Sequence, residues 1–409
     1  MMMVEIRKIR EEERAEYLEV GRYVFNNWTN EPPDEEWVEG VDVDCAFGLF
    51  VEGKLAARMY NRSYKQFVRG VLRPMGGLAG VGTYPEHRGK GYARELLTAV
   101  LADMRDKGQA VGSLHPFRES FYGKYDYVVT PPRGKARFPL VVWRDQAAEW
   151  QEETEWRVTR APAVDCLPLW TEFVADVGAG IYHGYVYYPE QPATVWARET
   201  KDELMGMVWR GDELMGMVRY KTNGFMADGV LTISEMHWRG KAGREKLFGF
   251  LGMHAEAIQT VEWKDVSMMS PFTQWFGQPR IPAGFEIRDH PLMVRLTLVA
   301  EALTGLPAVM AGECYFDLVE DMYCPWNVGR YRVWAEGGRL KAEQAPLPPV
   351  AERGGVMGVT AKGVAALVYG TMSLAELEYR EWVWQIDDET GLLLHNWLPE
   401  RVVYNPVFF

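Results

Sequence analysis

The sequence predicts a protein of the α+β class with more than one domain, and three observations lead to this prediction. The chain has 409 residues, and one domain per roughly 150 residues predicts two or three domains. Strand-like and helix-like segments alternate at the start of the chain, a pattern typical of a mixed sheet. This pattern restarts near Trp143, and the composition shifts again near His290-Pro291. The expected domains are therefore 1–145, 146–290 and 291–409.

Composition and charge indicate a core-forming protein with no nucleic-acid partner. Hydrophobic residues make up 47% of the chain and aromatic residues 13%, which excludes a disordered polymer. Lys and Arg number 45 and Asp and Glu number 57, so the formal net charge is −12. A field of this sign attracts cationic amines and opposes nucleic acid.

The absence of long apolar runs predicts a cytoplasmic protein without a membrane span. No stretch holds the roughly 18 uninterrupted apolar residues that a span needs, and none at the start resembles a signal peptide. The cysteines are dispersed, without a Cys-x-x-Cys pair or matching His spacing. We therefore expect reduced thiols and no metal site.

The first 145 residues contain a hairpin signature and a strand–helix–strand unit. Segments 45–51 and 55–61 flank a Glu-Gly-Lys turn, which predicts antiparallel pairing. Apolar residues within 91–107 recur at helical spacing, and strands are predicted at 78–84 and 110–114. This order predicts a parallel crossover. Further along, the repeat of 202–208 in 212–218 predicts a second hairpin.

A glycine-rich turn joins the predicted strand 78–84 to the predicted helix. Gly89 and Gly91 let the backbone approach a ligand without a Cβ, and the first N–H groups of the helix then point at an anion. Arg88 and Lys90 add positive charge. The turn therefore predicts a diphosphate site, with an ordinary tight turn as the alternative.

This turn resembles the acetyl-CoA signature of the Gcn5-related N-acetyltransferases (GNAT). Arg88-Gly89-Lys90-Gly91-Tyr92-Ala93 matches the pattern Gln/Arg-x-x-Gly-x-Gly/Ala, and the aromatic segment 121–127 matches a second family element. Asp126 stands where the family usually has glycine. The resemblance implies acetyl-CoA as cosubstrate, with these contacts: Val81, Gly82, Thr83, Arg88, Gly89, Lys90, Gly91, Tyr92 and Ala93.

The whole chain is similar to the enhanced intracellular survival (Eis) group of these enzymes. Supporting segments are Met75-Gly76-Gly77, Cys324-Pro325-Trp326-Asn327-Val328-Gly329-Arg330 and the tail 405–409. The resemblance implies two tandem GNAT-like domains, a sterol-carrier-protein-like third domain with its tail in the active site, and a hexamer.

A second, altered copy of the glycine turn supports the tandem arrangement. Residues 239–248 follow the predicted strand 230–236 as the first turn follows its own strand, but Ala242 replaces the second glycine. A methyl group there would crowd a diphosphate, so we predict one cofactor site per chain. A chance match of Arg-Gly-Lys is the alternative.

Acetyl transfer to an amine needs a neutral nucleophile, a polarised thioester carbonyl and a proton for the leaving thiolate. Backbone N–H groups of 81–83 are candidates for polarising the carbonyl. The resemblance implies Tyr122 as general acid, and a phenol is protonated at neutral pH. His115 is a candidate for orienting substrate or water, with a structural histidine as an equal alternative.

For the base, the resemblance implies the terminal carboxylate, here carried by Phe409. Such a group is ionised at neutral pH and could receive an ammonium proton through water. Phe25, Trp28 and Trp37 are candidates for lining the acceptor pocket, although we favour core packing for each.

The leading hypothesis is an acetyl-CoA-dependent N-acetyltransferase acting on primary amines of aminoglycoside, polyamine or lysine type. One alternative is a tandem-domain transferase with another acyl donor or a peptide acceptor. The other is a lipid-binding or scaffold protein, which should contain an open apolar cavity in its third domain.

Overall fold

A computed structural model of the chain describes residues 3–148, 150, 154–267, 284–287, 291–407 and 409. These residues form the following strands: β1 (Val4–Lys8), β2 (Ala46–Val51), β3 (Lys54–Val68), β4 (Val71–Thr83), β5 (Val111–Leu114), β6 (Val128–Val129), β7 (Arg133–Pro139), β8 (Trp156–Pro162), β9 (Val186–Tyr187), β10 (Leu204–Arg210), β11 (Glu213–Asn223), β12 (Met226–Trp238), β13 (Ile258–Ser267), β14 (Gly284–Ile287), β15 (Met293–Leu296), β16 (Glu313–Leu318), β17 (Gly329–Glu336), β18 (Arg339–Ala345), β19 (Met357–Val359) and β20 (Val383–Trp384). They also form these α-helices: α1 (Arg14–Val24), α2 (Glu35–Glu39), α3 (Tyr92–Asp106), α4 (Glu119–Tyr122), α5 (Arg144–Ala148), α6 (Leu167–Gly178), α7 (Ala193–Thr200), α8 (Gly240–Gly252), α9 (Val299–Leu303), α10 (Ala361–Tyr369), α11 (Leu374–Tyr379) and α12 (Asp388–Trp397).

The strands assemble into three sheets, which confirms the mixed α+β class. The first sheet has the order β1-β2-β3-β4-β5-β15-β6, with β9 paired to β3. The second has the order β14-β7-β13-β12-β11-β10-β8, and the third β18-β17-β16-β19-β20. Parallel pairs occur between β4 and β5, β12 and β13, and β16 and β19.

The local sequence patterns predicted the main units of the first two sheets correctly. Strands β2 and β3 form the expected antiparallel hairpin, and β4, α3 and β5 form the expected parallel crossover. The predicted apolar face of α3 is buried at Leu96, Leu97, Val100, Leu101 and Met104. The duplicated segments pair with each other as β10 and β11.

Two strands cross the limits expected for the domains. Strand β7 lies within 1–145 but pairs with β13 and β14 of the second sheet. Strand β15 lies within 291–409 but fits between β5 and β6 of the first sheet. All four residues of β15 are buried, a pattern that indicates cover on both faces of the strand without saying which sheet the strand joins.

The third sheet and its helices share a hydrophobic core with one face of the first sheet. Tyr64, Met75 and Val111 of the first sheet belong to the same buried cluster as Val364 and Leu367 of α10. The opposite face of the first sheet packs on α3. Within the described ranges, no helix is both long and apolar enough to cross a membrane.

Candidate active site

A fork between two parallel strands marks the centre of the first sheet. Strands β4 and β5 pair from Met75 opposite Val111 to Leu78 opposite Leu114, where β5 ends. Strand β4 continues to Thr83 without a partner on that side. On its other edge the register with β3 shifts near Gly80, whose φ is +58°. Such a bulge bends its strand, so β4 turns away from β5 and leaves a wedge-shaped opening.

Arg58 of β3 holds this bulge in place. Its Nε donates to the Gly80 carbonyl at 3.0 Å, and one terminal nitrogen donates to the Tyr17 carbonyl at 2.8 Å. The guanidinium also lies 4.3 Å from the centroid of the Tyr17 ring. Sequence reasoning missed Arg58, although a charged residue within the apolar run 55–59 was a usable signal.

The glycine-rich turn forms an open anion cradle at the beginning of α3. Gly89 and Gly91 have φ values of +75° and +85°, which residues with a side chain rarely adopt. A Cβ on Gly89 would meet no atom within 4 Å, and one on Gly91 would come no closer than 3.5 Å to Arg94. Gly91 is the N-cap and has no side chain to satisfy the first N–H groups of α3. These groups, with the helix dipole behind them, fit a diphosphate.

The remaining predicted cofactor contacts surround this cradle. Arg88 is exposed, and its Nε donates to the Thr83 carbonyl at 3.1 Å, which ties the turn to the end of β4. The Lys90 ammonium lies 6.0 Å from the centroid of the Tyr92 ring. Val81 and Gly82 lie on β4 beyond the fork, and Ala93 lies in the first turn of α3. The structure thus brings the predicted set together along one path from the fork to the cradle.

Tyr122 is the last residue of α4 and lies beside the fork. Its side chain is 3% exposed and belongs to the same apolar cluster as Leu114 and Val81. The rings of Phe117 and Phe121 pack against it at centroid distances of 5.5 and 5.0 Å. Burial raises the pKa of Tyr122 above the usual range of a phenol, so the hydroxyl keeps its proton at neutral pH.

The substitution of the usual family glycine by Asp126 preserves the turn after α4. Asp126 has a φ of +62°, the left-handed conformation in which Asp is tolerated better than most residues. Its carboxylate lies 3.9 Å from the guanidinium of Arg295.

Arg295 of β15 connects this turn to the third part of the chain. It is 1% exposed, donates to the Tyr125 carbonyl at 2.6 Å, and binds Asp321 at 2.6 and 2.8 Å. Asp321 in turn accepts from the Cys324 backbone N–H at 2.8 Å and from the Asn327 amide at 3.2 Å. The Cys-Pro-Trp-Asn motif therefore helps to position the segment that follows Tyr122. A charged residue within the apolar strand 292–296 was the signal that sequence reasoning missed.

The C-terminal tail docks on the face of the first sheet opposite α3. The Phe409 ring lies 5.1 Å from Tyr64 and 5.0 Å from His115, measured between ring centroids. His115 Nε2 lies 3.1 Å from the Val407 carbonyl oxygen. Asn405 anchors the tail, because its side-chain oxygen accepts from the Val186 N–H at 3.1 Å. The structure thus places Phe409 and His115 together, next to the fork.

A cavity of about 280 Å³ lies next to the docked tail. Residues of β3, α6, α7, β9, the second sheet and the tail line it: Arg62, Tyr64, Leu167, Trp170, Thr171, Val174, Tyr185, Val186, Tyr187, Tyr188, Gln191, Val195, Trp196, Glu199, Arg219, Glu235, Pro406 and Val407. Tyr64 contacts Phe409, and Val407 contacts His115, so the last residues of the tail border both this cavity and the fork.

The three aromatic residues proposed for the acceptor pocket lie at the surface. Phe25, Trp28 and Trp37 are 52%, 56% and 57% exposed, so the favoured alternative of core packing is wrong for all three. None of them lines the cavity beside the tail. Trp37 lies under the guanidinium of Arg198 in α7, at 5.0 Å from the ring centroid. Their role in acceptor binding stays a prediction.

The second sheet lacks the cradle found in the first. Strand β12 ends at Trp238 and α8 begins at Gly240, so Arg239 is the whole connection. Arg239 donates through its backbone N–H to the Met215 carbonyl at 2.8 Å. A Cβ on Gly243 would lie 2.3 Å from that same carbonyl oxygen. Gly243 in the first turn of α8 is therefore packed against β11, whereas Gly240, with a φ of +57°, has open space over it.

The second fork, between β12 and β13, is filled by a buried polar network. The parallel register ends at Ile233 opposite Trp263. Beyond it, Glu235 accepts from the Tyr185 hydroxyl at 2.5 Å and lies 2.8 Å from His237 Nε2. Burial alone would raise the pKa of Glu235, but the hydrogen bond from His237 and the charge of Arg219 together lower it. Glu235 is therefore an ionised carboxylate in the cavity wall.

Comparison with protein families agrees with this geometry. Residues 5–130 match an acetyltransferase (GNAT) domain family, and residues 188–296 match a second family with the same description. The chain therefore carries two acetyltransferase domains of the GNAT type, and it is an enzyme of the acetyltransferase class. No curated protein matches the sequence.

Solved structures share the fold over the full chain. A GCN5-related N-acetyltransferase from Kribbella flavida has a TM-score of 0.80 at 22% identity, covering 100% of this chain and 99% of that one. A GCN5-related N-acetyltransferase from Anabaena variabilis has a TM-score of 0.80 at 18% identity, with 100% of both chains covered. Eis1 from Mycobacterium abscessus has a TM-score of 0.75 at 17% identity, also with 100% of both chains covered. At these identities the likeness concerns the fold.

Proposed function

We propose that this enzyme transfers an acetyl group from acetyl-CoA to a primary amine in the first fork. The observation that carries the proposal is the continuity between the opening of β4 and β5 and the cradle at the beginning of α3. Both glycines of the cradle have positive φ, and the space over Gly89 is open. An opening that continues into an anion cradle fits an elongated ligand with a diphosphate at one end and its reacting group at the other.

Acetyl-CoA supplies a thioester, whose carbonyl carbon accepts the amine. The backbone N–H groups of Val81 and Thr83 are suited to stabilise negative charge on the carbonyl oxygen, because β4 has no partner strand there. The amine forms the new C–N bond as the C–S bond breaks. Tyr122, whose pKa is raised by burial so that its hydroxyl is protonated at neutral pH, donates its phenolic proton to the leaving thiolate.

The terminal carboxylate of Phe409 receives the proton that the amine loses, by way of water. The contacts of the Phe409 ring with Tyr64 and His115 support this assignment, because they hold the end of the chain beside the fork. The cavity of about 280 Å³ on the other side of the tail is the acceptor site in this proposal. His115, through its contact with the Val407 carbonyl, orients the tail.

A lipid-carrier function has little support from the third part of the chain. The apolar cavity enclosed by Phe316, Met357 and Trp397 measures about 10 Å³, room for about one water molecule. We infer that this part is sterol-carrier-like in fold and serves to dock the tail. Membership of the Eis group belongs to the same proposal, supported by the full-length likeness in fold to Eis1. Assembly as a hexamer and a cytoplasmic location stay predictions made from the sequence.

Release of free CoA from acetyl-CoA tests the function directly. The acceptor panel contains aminoglycosides, polyamines, lysine peptides and amino acids, and the baseline is thioester hydrolysis without amine. We expect at least one amine to raise CoA release above this baseline, with the N-acetylated product identified by mass. If no amine raises the rate while acetyl-CoA still binds, the transferase proposal is wrong.

A further inference from the structure

The charges that line the acceptor cavity are of both signs, and two of them lack an ionic partner. Arg219 and Glu235 lie 3.9 Å apart, and Glu203 lies 3.2 Å from Arg219 and 3.7 Å from Lys264, so these four groups pair with one another. The other two charged lining residues are Arg62 and Glu199.

Arg62 faces the cavity as a cation without a carboxylate. Its guanidinium donates to the Tyr64 hydroxyl at 3.4 Å and lies 5.4 Å from the centroid of the Tyr60 ring. No carboxylate within the described part of the chain lies within 4.0 Å of it. A guanidinium carries five N–H donors in a planar fork, and these two tyrosine contacts leave most of them unused.

Glu199 of α7 is the matching anion. Its carboxylate accepts a hydrogen bond from the Gln191 amide at 3.1 Å and takes part in no ion pair with the other described residues. The cavity therefore offers one free positive and one free negative group, between the rings of Tyr64, Tyr188 and Trp196.

Arg62 is also close to the reacting centre. On β3 it stands opposite Gly77 of β4, one residue before the last β4–β5 pair at Leu78 and Leu114. Neighbouring strands lie about 4.8 Å apart, so an anion held by Arg62 would be within a short molecule's length of the fork.

We propose that the acceptor is an amine that also carries an anionic group, of the amino-acid class, and that Arg62 binds this anion. The inference rests on the proposed acetyl transfer. A polycation such as an aminoglycoside could pair with Glu199 but would place further positive charge against Arg62. An ω-amino acid would instead pair its carboxylate with Arg62 and direct its amine toward the fork.

The test compares ω-amino acids of two to five carbons with their own carboxamides, which keep the amine and lose the anion. 2-Aminoethyl phosphate and ethanolamine form a second matched pair that asks whether phosphate replaces carboxylate. We expect kcat/KM for the best amino acid to exceed that of its carboxamide by at least about tenfold, the usual effect of a charge-assisted hydrogen bond.

Arg62→Gln should reduce this ratio to near unity, chiefly through a higher KM for the amino acid. Arg62→Lys should restore part of it, because an ammonium keeps the charge without the planar fork. Arg380→Gln is the control, since Arg380 is an exposed arginine that pairs with Glu376 in α11 and lies far along the chain.

The outcomes separate this inference from the function on which it rests. Carboxamides that react as fast as the amino acids would overturn the role of Arg62 and leave acetyl transfer intact. If no amine reacts, calorimetric titration of the amino acids into wild type and Arg62→Gln still decides the point. Equal dissociation constants, or no binding to either, would overturn it.

Discussion

Helices α3 and α8 occupy corresponding places in two sheets, but they follow their strands through connections of very different length. Eight residues, 84–91, separate β4 from α3, whereas a single arginine separates β12 from α8. The longer connection holds two glycines with positive φ and leaves the first N–H groups of α3 accessible. The shorter one places Gly243, in the first turn of α8, against the Met215 carbonyl.

This difference shows that the length of the turn decides the site before its composition does. Ala242 lies inside α8, not in a turn that precedes it, so its methyl group is exposed and crowds nothing. From the sequence alone, the replacement of glycine by Ala242 was the reason to predict a single cofactor site. The short connection is the stronger reason for this prediction, and the second fork instead supplies Glu235 to the wall of the cavity beside the tail.

The largest expected effect comes from placing an acid at the beginning of α3, and an acid at the beginning of α8 is the control. Gly91→Glu should abolish acetyl-CoA binding, because it introduces strain at φ +85° and negative charge beside the diphosphate. Ala242→Glu, an acid on the exposed beginning of α8, should leave affinity unchanged. Calorimetric titration measures both, and thermal melting checks folding. If the Gly91→Glu variant kept its affinity for acetyl-CoA and the Ala242→Glu variant lost it, the comparison between the two helices would be reversed.

The next effect tests which of the two forks performs the chemistry. Tyr122→Phe should lower turnover by about 10²–10⁴-fold, the usual range for a general acid, while acetyl-CoA affinity changes little. Because burial raises the pKa of Tyr122, wild-type activity should not fall through loss of this proton between pH 7 and 9. Stopped assays over that pH range and titrations of the cosubstrate supply both readouts. Equal losses in turnover and affinity would make Tyr122 a structural residue.

The third prediction concerns the C-terminal tail, which docks next to the first fork. One alanine added after Phe409 keeps every side chain but moves the terminal charge by up to about 3.6 Å, so turnover should fall about a hundredfold. Deletion of Phe409 should be similarly damaging. Phe409→Leu keeps the carboxylate at the end of the chain and should be much milder. If a C-terminally extended enzyme works at the wild-type rate, the base lies elsewhere.

The last prediction is that a substitution in α8 leaves acetyl-CoA binding unchanged, and it tests the comparison of the two helices directly. Ala242→Gly restores the second glycine of the family pattern in α8. Because the loop before α8 is absent, the stoichiometry of acetyl-CoA binding should stay at one per chain. A second bound equivalent in the titration would show that glycine, and not loop length, is decisive.

Features set by neighbouring residues could be read from the sequence. The hairpin of β2 and β3 and the crossover through α3 depend on local spacing, and both were predicted correctly. The turn of Gly89 and Gly91 also lies where the sequence predicted it, between a strand and a helix. The partners of β7 and β15 could not be read, because an apolar run specifies burial and not the sheet that provides it.

Apart from Arg88 and Lys90, the charged residues of the site were missed from the sequence. Arg58 and Arg62 are two among many arginines, and their roles depend on a bulge and a cavity made by distant segments. Arg295 was the more accessible case, since an arginine within a buried strand requires a partner. Its partner Asp321 could be identified only from the fold.

The exchange of β7 and β15 between sheets has a consequence for the history of this chain. A gene fragment that ends before residue 291 would encode a first sheet without β15, and hence with β5 and β6 no longer bridged. A fragment that begins after residue 139 would encode a second sheet without β7. Neither acetyltransferase unit can therefore be shuffled into another protein by cutting at its apparent borders. A transfer that kept both acetyltransferase sheets whole would have to include β7 with the second unit and β15 with the first.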